Sequence, residues 1–155
     1  MSAPRDRSRL AHHVEVVSAD GRTLEVVLLA GPVVPLHSGL GAVVADWVAD
    51  GWSRSGPGGA GADRALVLVA PAHVDPEWCA AVAAGVRGSP VAVVGYGGIG
   101  RGRRAIGLLD DALRDRDVRP VGCSLGINTA RVRVTGFDEF DVLARGLLLD
   151  ALRAA

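Results

Sequence analysis

Lysine is absent from this 155-residue chain: its seventeen basic residues are all arginine, and seventeen acidic residues bring the formal net charge to zero. A protein that binds nucleic acid or an anionic membrane through its surface carries an excess of basic side chains. We therefore expect neither nucleic acid nor a membrane among the partners of this protein.

Cysteines and long apolar runs are also scarce. The two cysteines, Cys79 and Cys123, form neither a CxxC pair nor a spaced cluster, so we expect buried free thiols and no metal site. No apolar stretch is long enough to span a bilayer, and no signal-peptide run follows the N-terminal arginines. These absences predict a cytoplasmic protein. Because Ser-His-Asp orders, Walker loops and zinc spacings are missing too, the function has to be inferred from the fold.

Apolar runs alternate with amphipathic segments along most of the chain. Four mainly apolar runs predict the core strands of a sheet, at residues 24–30, 65–70, 90–94 and 118–123. The first two are rich in Val and Leu, as in strands that are buried on both faces. Four segments have helical spacing and predict helices at residues 40–52, 75–86, 103–115 and 138–153; residues 131–134 predict a short extra strand. Strands that alternate with helices indicate a parallel sheet with helices on both faces. We expect a flexible leader at residues 1–11 and one three-layer α/β domain at residues 12–155.

An additional strand precedes the first buried one. Residues 13–18 alternate between polar and apolar side chains, and residues 19–22 read Ala-Asp-Gly-Arg, a turn signal. The pattern predicts an antiparallel hairpin in which residues 13–18 pair with residues 24–30 at the edge of the sheet.

The ligand site of such a sheet lies beyond the carboxyl ends of the strands, at the point where the topology switches. Three loops leave these ends, at residues 31–39, 71–76 and 95–102. The last has five glycines in eight positions, which would let backbone N–H groups approach a flat or anionic ligand.

Several motifs between residues 62 and 120 follow one another in a distinctive order. A buried strand ends in Pro71-Ala72-His73-Val74, a strand preceded by Gly88-Ser89-Pro90 comes next, and Gly95-Tyr96-Gly97-Gly98 and Arg103-Arg104-Ala105 follow. In order and spacing this part of the chain resembles the NADPH-dependent FMN reductase family. That family has a strand ending in Pro-Glu-Tyr-Asn, a Lys-Pro strand, a Gly-Gly loop and a Gly-rich helix start.

The resemblance implies a flavodoxin-like doubly wound parallel sheet, here with the N-terminal antiparallel hairpin at its edge. It implies FMN and NADPH or NADH as cofactors, and free flavin or a small planar quinone-like molecule as substrate. It also implies a homodimer, because the family places its flavin near a dimer interface. Trp47 and Trp78 are candidates for core or dimer contacts.

The first loop departs from the family, whose Gly-Ser-x-Arg loop grips the FMN phosphate. Here residues 31–39 contain Pro32 and Pro35, which remove two N–H donors, and no arginine, so that His37 and Ser38 remain as phosphate partners. The family's second strand is missing as well, and the N-terminal hairpin strand would fill its edge. Either FMN is held by other contacts, or the flavin has been lost.

His73 and Tyr96 are the candidate catalytic residues. His73 stands in the place of the family's Tyr; it would donate to a ligand carbonyl or carry a proton, or it is an exposed loop histidine. Tyr96 would stack on a ring or donate its hydroxyl, or it is a packed loop aromatic. Arg101, Arg103 and Arg104 either attract an anionic substrate or the NADPH phosphate, or form a solvated helix start. The predicted cofactor-binding residues line the three loops: Gly31, His37, Ser38, Pro71, Ala72, His73, Val74, Gly95, Tyr96, Gly97 and Gly98.

Three functions remain open from the sequence. The first is a flavin-dependent NAD(P)H oxidoreductase that needs no catalytic side chain, because the cofactor carries the hydride chemistry. The second is a cofactor-free isomerase or cyclase of secondary metabolism on the same fold, with His73, His37 or Tyr96 as acid and base. The third is a non-catalytic binding subunit.

Overall fold

A computed structural model describes residues 10–30, 38–54, 63–86 and 88–155 of the protein. Five strands and five helices fall within these residues. In chain order they are β1 (Leu10–Val17), β2 (Thr23–Leu29), α1 (Ser38–Ser53), β3 (Arg64–Pro71), α2 (Pro76–Ala83), β4 (Val91–Gly97), α3 (Arg103–Arg114), β5 (Leu125–Asn128), α4 (Thr129–Thr135) and α5 (Glu139–Ala154).

The strands form one five-stranded sheet in the order β1-β2-β3-β4-β5. β1 pairs antiparallel with β2, and all the other pairs are parallel. The turn between β1 and β2 is closed by a hydrogen bond from the Gly21 N–H to the Ser18 carbonyl (3.0 Å), and Gly21 has a φ of 83°, a left-handed conformation that glycine adopts at little cost. The predicted N-terminal hairpin is therefore confirmed.

Helices cover both faces of the sheet and produce three layers. α1 and α5 pack with the alternate strand residues Val26, Val67 and Val94 in one core. α2 and α3 pack with Val27, Leu68 and Val93, which point to the opposite face, in a second core. Because the strands are apolar on both faces, each face can bury a helical layer, as the continuous apolar runs predict. The three-layer α/β class is confirmed.

The first crossover differs in hand from the two that follow. β2, β3, β4 and β5 are parallel and lie side by side in chain order, so that each crossover moves one strand in the same direction. The helix between β2 and β3 lies on one face, whereas the helices between β3 and β4 and between β4 and β5 lie on the other. Since right-handed crossovers strongly predominate, β2-α1-β3 is the exceptional unit. The helical layer changes face between β2 and β3.

Aspartate side chains cap the starts of two helices. The Asp75 side chain accepts a hydrogen bond from the Trp78 N–H (2.8 Å), and Pro76 begins α2. Asp138 and Asp141 form a reciprocal capping box at the start of α5, each side chain accepting from the other's backbone N–H.

The end of the sheet differs from the prediction. Residues 118–123 are not a strand: Pro120 has no N–H to donate, and regular pairing with β4 begins only at Leu125, opposite Val94. Residues 131–134, predicted as a short strand, belong to α4, because the Asn128 side chain caps the Arg131 N–H and Val132 alone of these four residues is buried. β4 also runs on to Gly97, three residues beyond its predicted end.

Within the described residues, no helix is long and apolar enough to cross a membrane.

Candidate functional site

The candidate site lies where the helical layer changes face. The helix that follows β2 lies on one face of the sheet, and the helix that follows β3 lies on the other. Open α/β sheets bind ligands in the crevice at such a switch of face, so we take the carboxyl ends of the strands beside it as the candidate crevice. The described walls come from β3, β4 and β5: residues 71–75, 97–102 and 128–129.

The β3 wall is held at both of its ends. The Arg104 guanidinium donates to the Val74 carbonyl (2.7 Å) and so ties the loop to the first turn of α3. The Trp78 indole donates to the Ala30 carbonyl (3.0 Å), which ties α2 to the end of β2. Pro71 and Val74 are buried and Ala72 is half-buried, whereas His73 is exposed. The loop therefore presents the His73 imidazole from a fixed backbone.

The glycines of the β4 wall divide into two kinds. A Cβ at Gly95 would lie 2.6 Å from the Gly102 carbonyl oxygen, and one at Gly97 would lie 2.7 Å from the Ala72 Cβ, so these glycines allow the loop to fold back on the sheet. A Cβ at Gly98 or Gly100 would meet nothing within 4 Å. Gly98 and Gly100 alone fit the predicted role of open backbone under a ligand; Gly95 and Gly97 serve internal packing.

Tyr96 lies in the core and not on the glycine loop. Its side chain points to the α1 face, where it is 3% exposed, and it packs against Gly41 of α1; a Cβ at Gly41 would lie 2.8 Å from the Tyr96 hydroxyl. Burial raises the pKa of the phenol, which is neutral at physiological pH. A ring enclosed in this way cannot stack on a ligand, so the stacking role predicted for Tyr96 does not fit the structure. Its position instead supports the start of α1.

The β5 wall was not anticipated from the sequence. Thr129 is buried, and its hydroxyl donates to the Gly97 carbonyl (2.9 Å). Asn128 stands opposite Gly97 in the sheet and caps α4. Together these residues fix the end of β4. A polar pair directly after an apolar strand is the signal that would have identified them, but the prediction placed the strand at residues 118–123.

The structure brings together six of the predicted site residues. Pro71 pairs with Tyr96 in the sheet, Ala72 lies against Gly97, and His73 and Gly98 follow at the same edge. Ser38 begins α1; Gly31 and His37 lie outside the described residues. In the described part of the chain, no group of three His, Cys, Asp or Glu side chains is arranged to hold a metal ion.

The chain has no match among family models, curated proteins or solved structures. Inference about its function therefore depends on the geometry of this crevice.

Proposed function

We propose that the protein is a divergent, flavodoxin-like member of the NADPH-dependent FMN reductase group, an NAD(P)H-dependent oxidoreductase acting on free flavin or a small quinone-like molecule. The observation that carries the proposal is the change of helical face between β2 and β3. A ligand bound at this switch of face would lie beside residues 71–74 and 95–98, the loops whose sequence resembles the flavin-binding loops of that family.

The edge of the sheet supports the same interpretation. α1 packs chiefly over β1 and β2, as the first helix of a doubly wound sheet packs over an edge strand and its neighbour. In such a sheet that helix leads into the edge strand. Here β1 occupies the edge from the N-terminal side, and β3 is the next described element after α1, which accounts for the exceptional crossover. The arrangement is what a flavodoxin-like sheet would become after losing its second strand and gaining a hairpin.

The described residues fit a flat ligand better than a bulky one. Gly98 and Gly100 leave open space above their backbone, while Thr129 and Arg104 hold the adjoining loops in place. His73 can donate a hydrogen bond to a ring carbonyl, and its backbone is anchored through Val74. Bound flavin would supply the hydride chemistry, and the protein would orient it against a nicotinamide or quinone.

Gly98→Ala is the sharpest test of this site. A methyl group at Gly98 meets no protein atom, so the thermal midpoint should stay unchanged, but the methyl would enter the space that the ring needs. We expect FMN to bind about tenfold more weakly, measured by quenching of flavin fluorescence. Gly122→Ala is the matched control, since Gly122 is equally open but lies outside the three walls.

Wild-type protein should also be yellow after purification with added FMN and should oxidise NADPH in its presence. Equal FMN affinity in Gly98→Ala and Gly122→Ala would contradict the proposed site. A wild-type protein that neither takes up FMN nor oxidises NADPH would contradict the function and leave the cofactor-free alternatives.

A further inference from the structure

A second cleft lies beside the crevice at the strand ends, with which it shares Arg101, and opens between the first turn of α3 and the start of β5. Its volume is about 410 Å³. Arg101 and Arg103 lie on one side and Ser124 on the other, and Gly107 and Gly126 contribute bare backbone. Nothing in the flavin proposal uses this cleft.

The charge of the cleft is positive and uncompensated. No acidic residue is among those that line it, and neither Arg101 nor Arg103 forms an ion pair with a described residue. Arg114 at the other end of the same helix does have such a partner, Asp110, at 3.4 Å. In a protein whose net charge is zero, two adjacent guanidinium groups without a carboxylate form a local site for an anion.

Arg101 is held over the cleft by its backbone. Its φ is 56°, in the left-handed region that arginine rarely adopts. Gly126 makes this position possible, because a Cβ there would lie 2.8 Å from the Arg101 carbonyl oxygen and 3.0 Å from the Arg101 Cβ. A strained residue fixed at the wall of a cleft is a common property of binding sites, where it reduces the ordering needed when the ligand arrives.

We propose that this cleft binds a phosphate monoester. Planar guanidinium groups match the oxygens of phosphate and bind them through charge-assisted hydrogen bonds, and the Ser124 hydroxyl can donate one more. Gly107, where a Cβ would meet nothing within 4 Å, leaves room for the group beside these side chains. Two sources of the monoester suit the proposed function: the 2′-phosphate of NADPH and the phosphate of FMN. Phosphate binding by the cleft does not depend on flavin binding.

Arg103→Gln tests whether the positive charge in the cleft contributes to phosphate binding. Inorganic phosphate is titrated into the full chain, and the backbone amide shifts of Gly107, Ser124 and Gly126 are followed by NMR. We expect these shifts to saturate in the wild type and the affinity to fall about tenfold in Arg103→Gln. Arg119→Gln removes an equally exposed positive charge outside the cleft and should bind phosphate like the wild type. Equal affinity in the two variants, or the absence of shifts at these amides, would overturn the proposal.

Gly107→Ala tests whether phosphate binding needs the open space beside Gly107. A Cβ at Gly107 meets no atom of the protein within 4 Å, and alanine is the better helix former, so this variant should be at least as stable as the wild type. The methyl nevertheless enters the cleft and should weaken phosphate binding several-fold. Gly146→Ala makes the same exchange at an open position of α5 and should leave phosphate binding unchanged. Unaltered phosphate binding by a folded Gly107→Ala would also count against the cleft.

Mononucleotides then distinguish the sources. If 2′-AMP shifts the cleft amides at lower concentration than 5′-AMP, the ligand is the adenosine phosphate of NADPH. If FMN does so and riboflavin does not, the ligand is the flavin phosphate. In either case the preference should disappear in Arg103→Gln. A failure of Gly98→Ala to affect FMN binding would refute the flavin site and leave the phosphate result standing, so the two proposals fail separately.

Discussion

Exposure separates the two candidate catalytic residues. His73 is exposed on an anchored loop at the strand ends, whereas Tyr96 is enclosed beneath α1. Both follow apolar strand residues in the sequence, and strand alternation indicates which residues share a face but not how far a neighbouring helix covers them. His73 therefore remains the candidate for direct contact with a ligand, and Tyr96 becomes a positioning residue.

His73→Ala should weaken FMN binding by about 1–3 kcal/mol, because a hydrogen bond directed at the ring would be lost. Ser38→Ala should have the smaller effect, since Pro32 and Pro35 reduce the number of donors in the first loop. Fluorescence titration with FMN gives both affinities, and His13→Ala, an exposed histidine on β1, serves as the control. If Ser38→Ala abolished binding while His73→Ala had no effect, the first loop would hold the phosphate after all.

The buried thiol of Cys79 should make stability depend on alkaline pH. Burial, and next the negative charge of Asp75, raise the pKa of this thiol from 9.0 to about 11. In the unfolded chain the thiol ionises above pH 9, whereas in the folded protein it stays neutral, so its contribution to stability is full below pH 9 and is lost as the pH rises toward 11.

The ionisation of Cys79 should lower the free energy of unfolding by about 2–3 kcal/mol at pH 11. Urea unfolding of Cys79→Ala at pH 9 and pH 11 should show a correspondingly smaller decline than the wild type, and Cys123→Ala should show the wild-type decline. The same decline in Cys79→Ala as in the wild type would mean that ionisation of this thiol is not linked to unfolding.

At the scale of elements, the hairpin turn is attached to the far end of the chain. The Arg153 guanidinium of α5 pairs with the Asp20 carboxylate (2.8 Å) and lies 4.6 Å from the centroid of the Trp52 ring. The Trp52 indole in turn donates to the Arg22 carbonyl (3.0 Å). These contacts hold the β1–β2 turn between α1 and α5 and keep β1 at the edge of the sheet.

Asp20→Asn should therefore destabilise the protein by about 3 kcal/mol, because it leaves the buried Arg153 guanidinium, 6% exposed, without its negative partner. The matched control is Asp50→Asn, which removes an exposed i,i+4 pair with Arg54 and should cost less than about 0.5 kcal/mol. Urea unfolding at neutral pH measures both changes. Equal effects would show that the turn is not anchored through this pair.

At the scale of the whole molecule, the tryptophans do not support a dimer in the way the sequence suggested. Trp47 stacks on Phe137 with ring centroids 4.0 Å apart, and Arg145 covers it at 4.5 Å. The Trp78 indole donates a hydrogen bond to the Ala30 carbonyl. Both tryptophan side chains therefore make contacts within the chain. Among the described residues, an apolar stripe on α5 offers a surface for a second copy: Phe140, Leu143 and Leu147 are 81%, 62% and 55% exposed.

We still expect a homodimer, now through this stripe on α5. Leu143 and Leu147 lie four residues apart on one side of the helix and expose apolar area that association would bury. The double variant Leu143→Glu/Leu147→Glu should sediment as one chain at micromolar concentration, whereas the wild type and Val17→Glu, a control at an exposed position of β1, should sediment as two. A wild-type mass of one chain would refute the dimer.

Sequence patterns were sufficient where structure depends on local chemistry. Apolar runs predicted β2, β3 and β4, the Asp-Gly turn predicted the hairpin, and helical spacing predicted α2 and α5. They failed at β5, where Val118 and Val121 suggested a strand although Pro120 interrupts pairing. They also failed at α4, where the alternation of Arg131 to Val134 suggested a strand but the Asn128 cap favoured a helix.

By itself the sequence determined the three-layer class and the antiparallel edge of the sheet, because burial patterns and turn residues are local properties. Only the tertiary structure decided that α1 and α2 lie on opposite faces, that Gly95 and Gly97 serve packing, and that Tyr96 is enclosed. Helical periodicity shows that a helix has an apolar side but not which face of the sheet it covers. That choice depends on contacts between distant residues, such as Gly41 with Tyr96 and Arg104 with Val74.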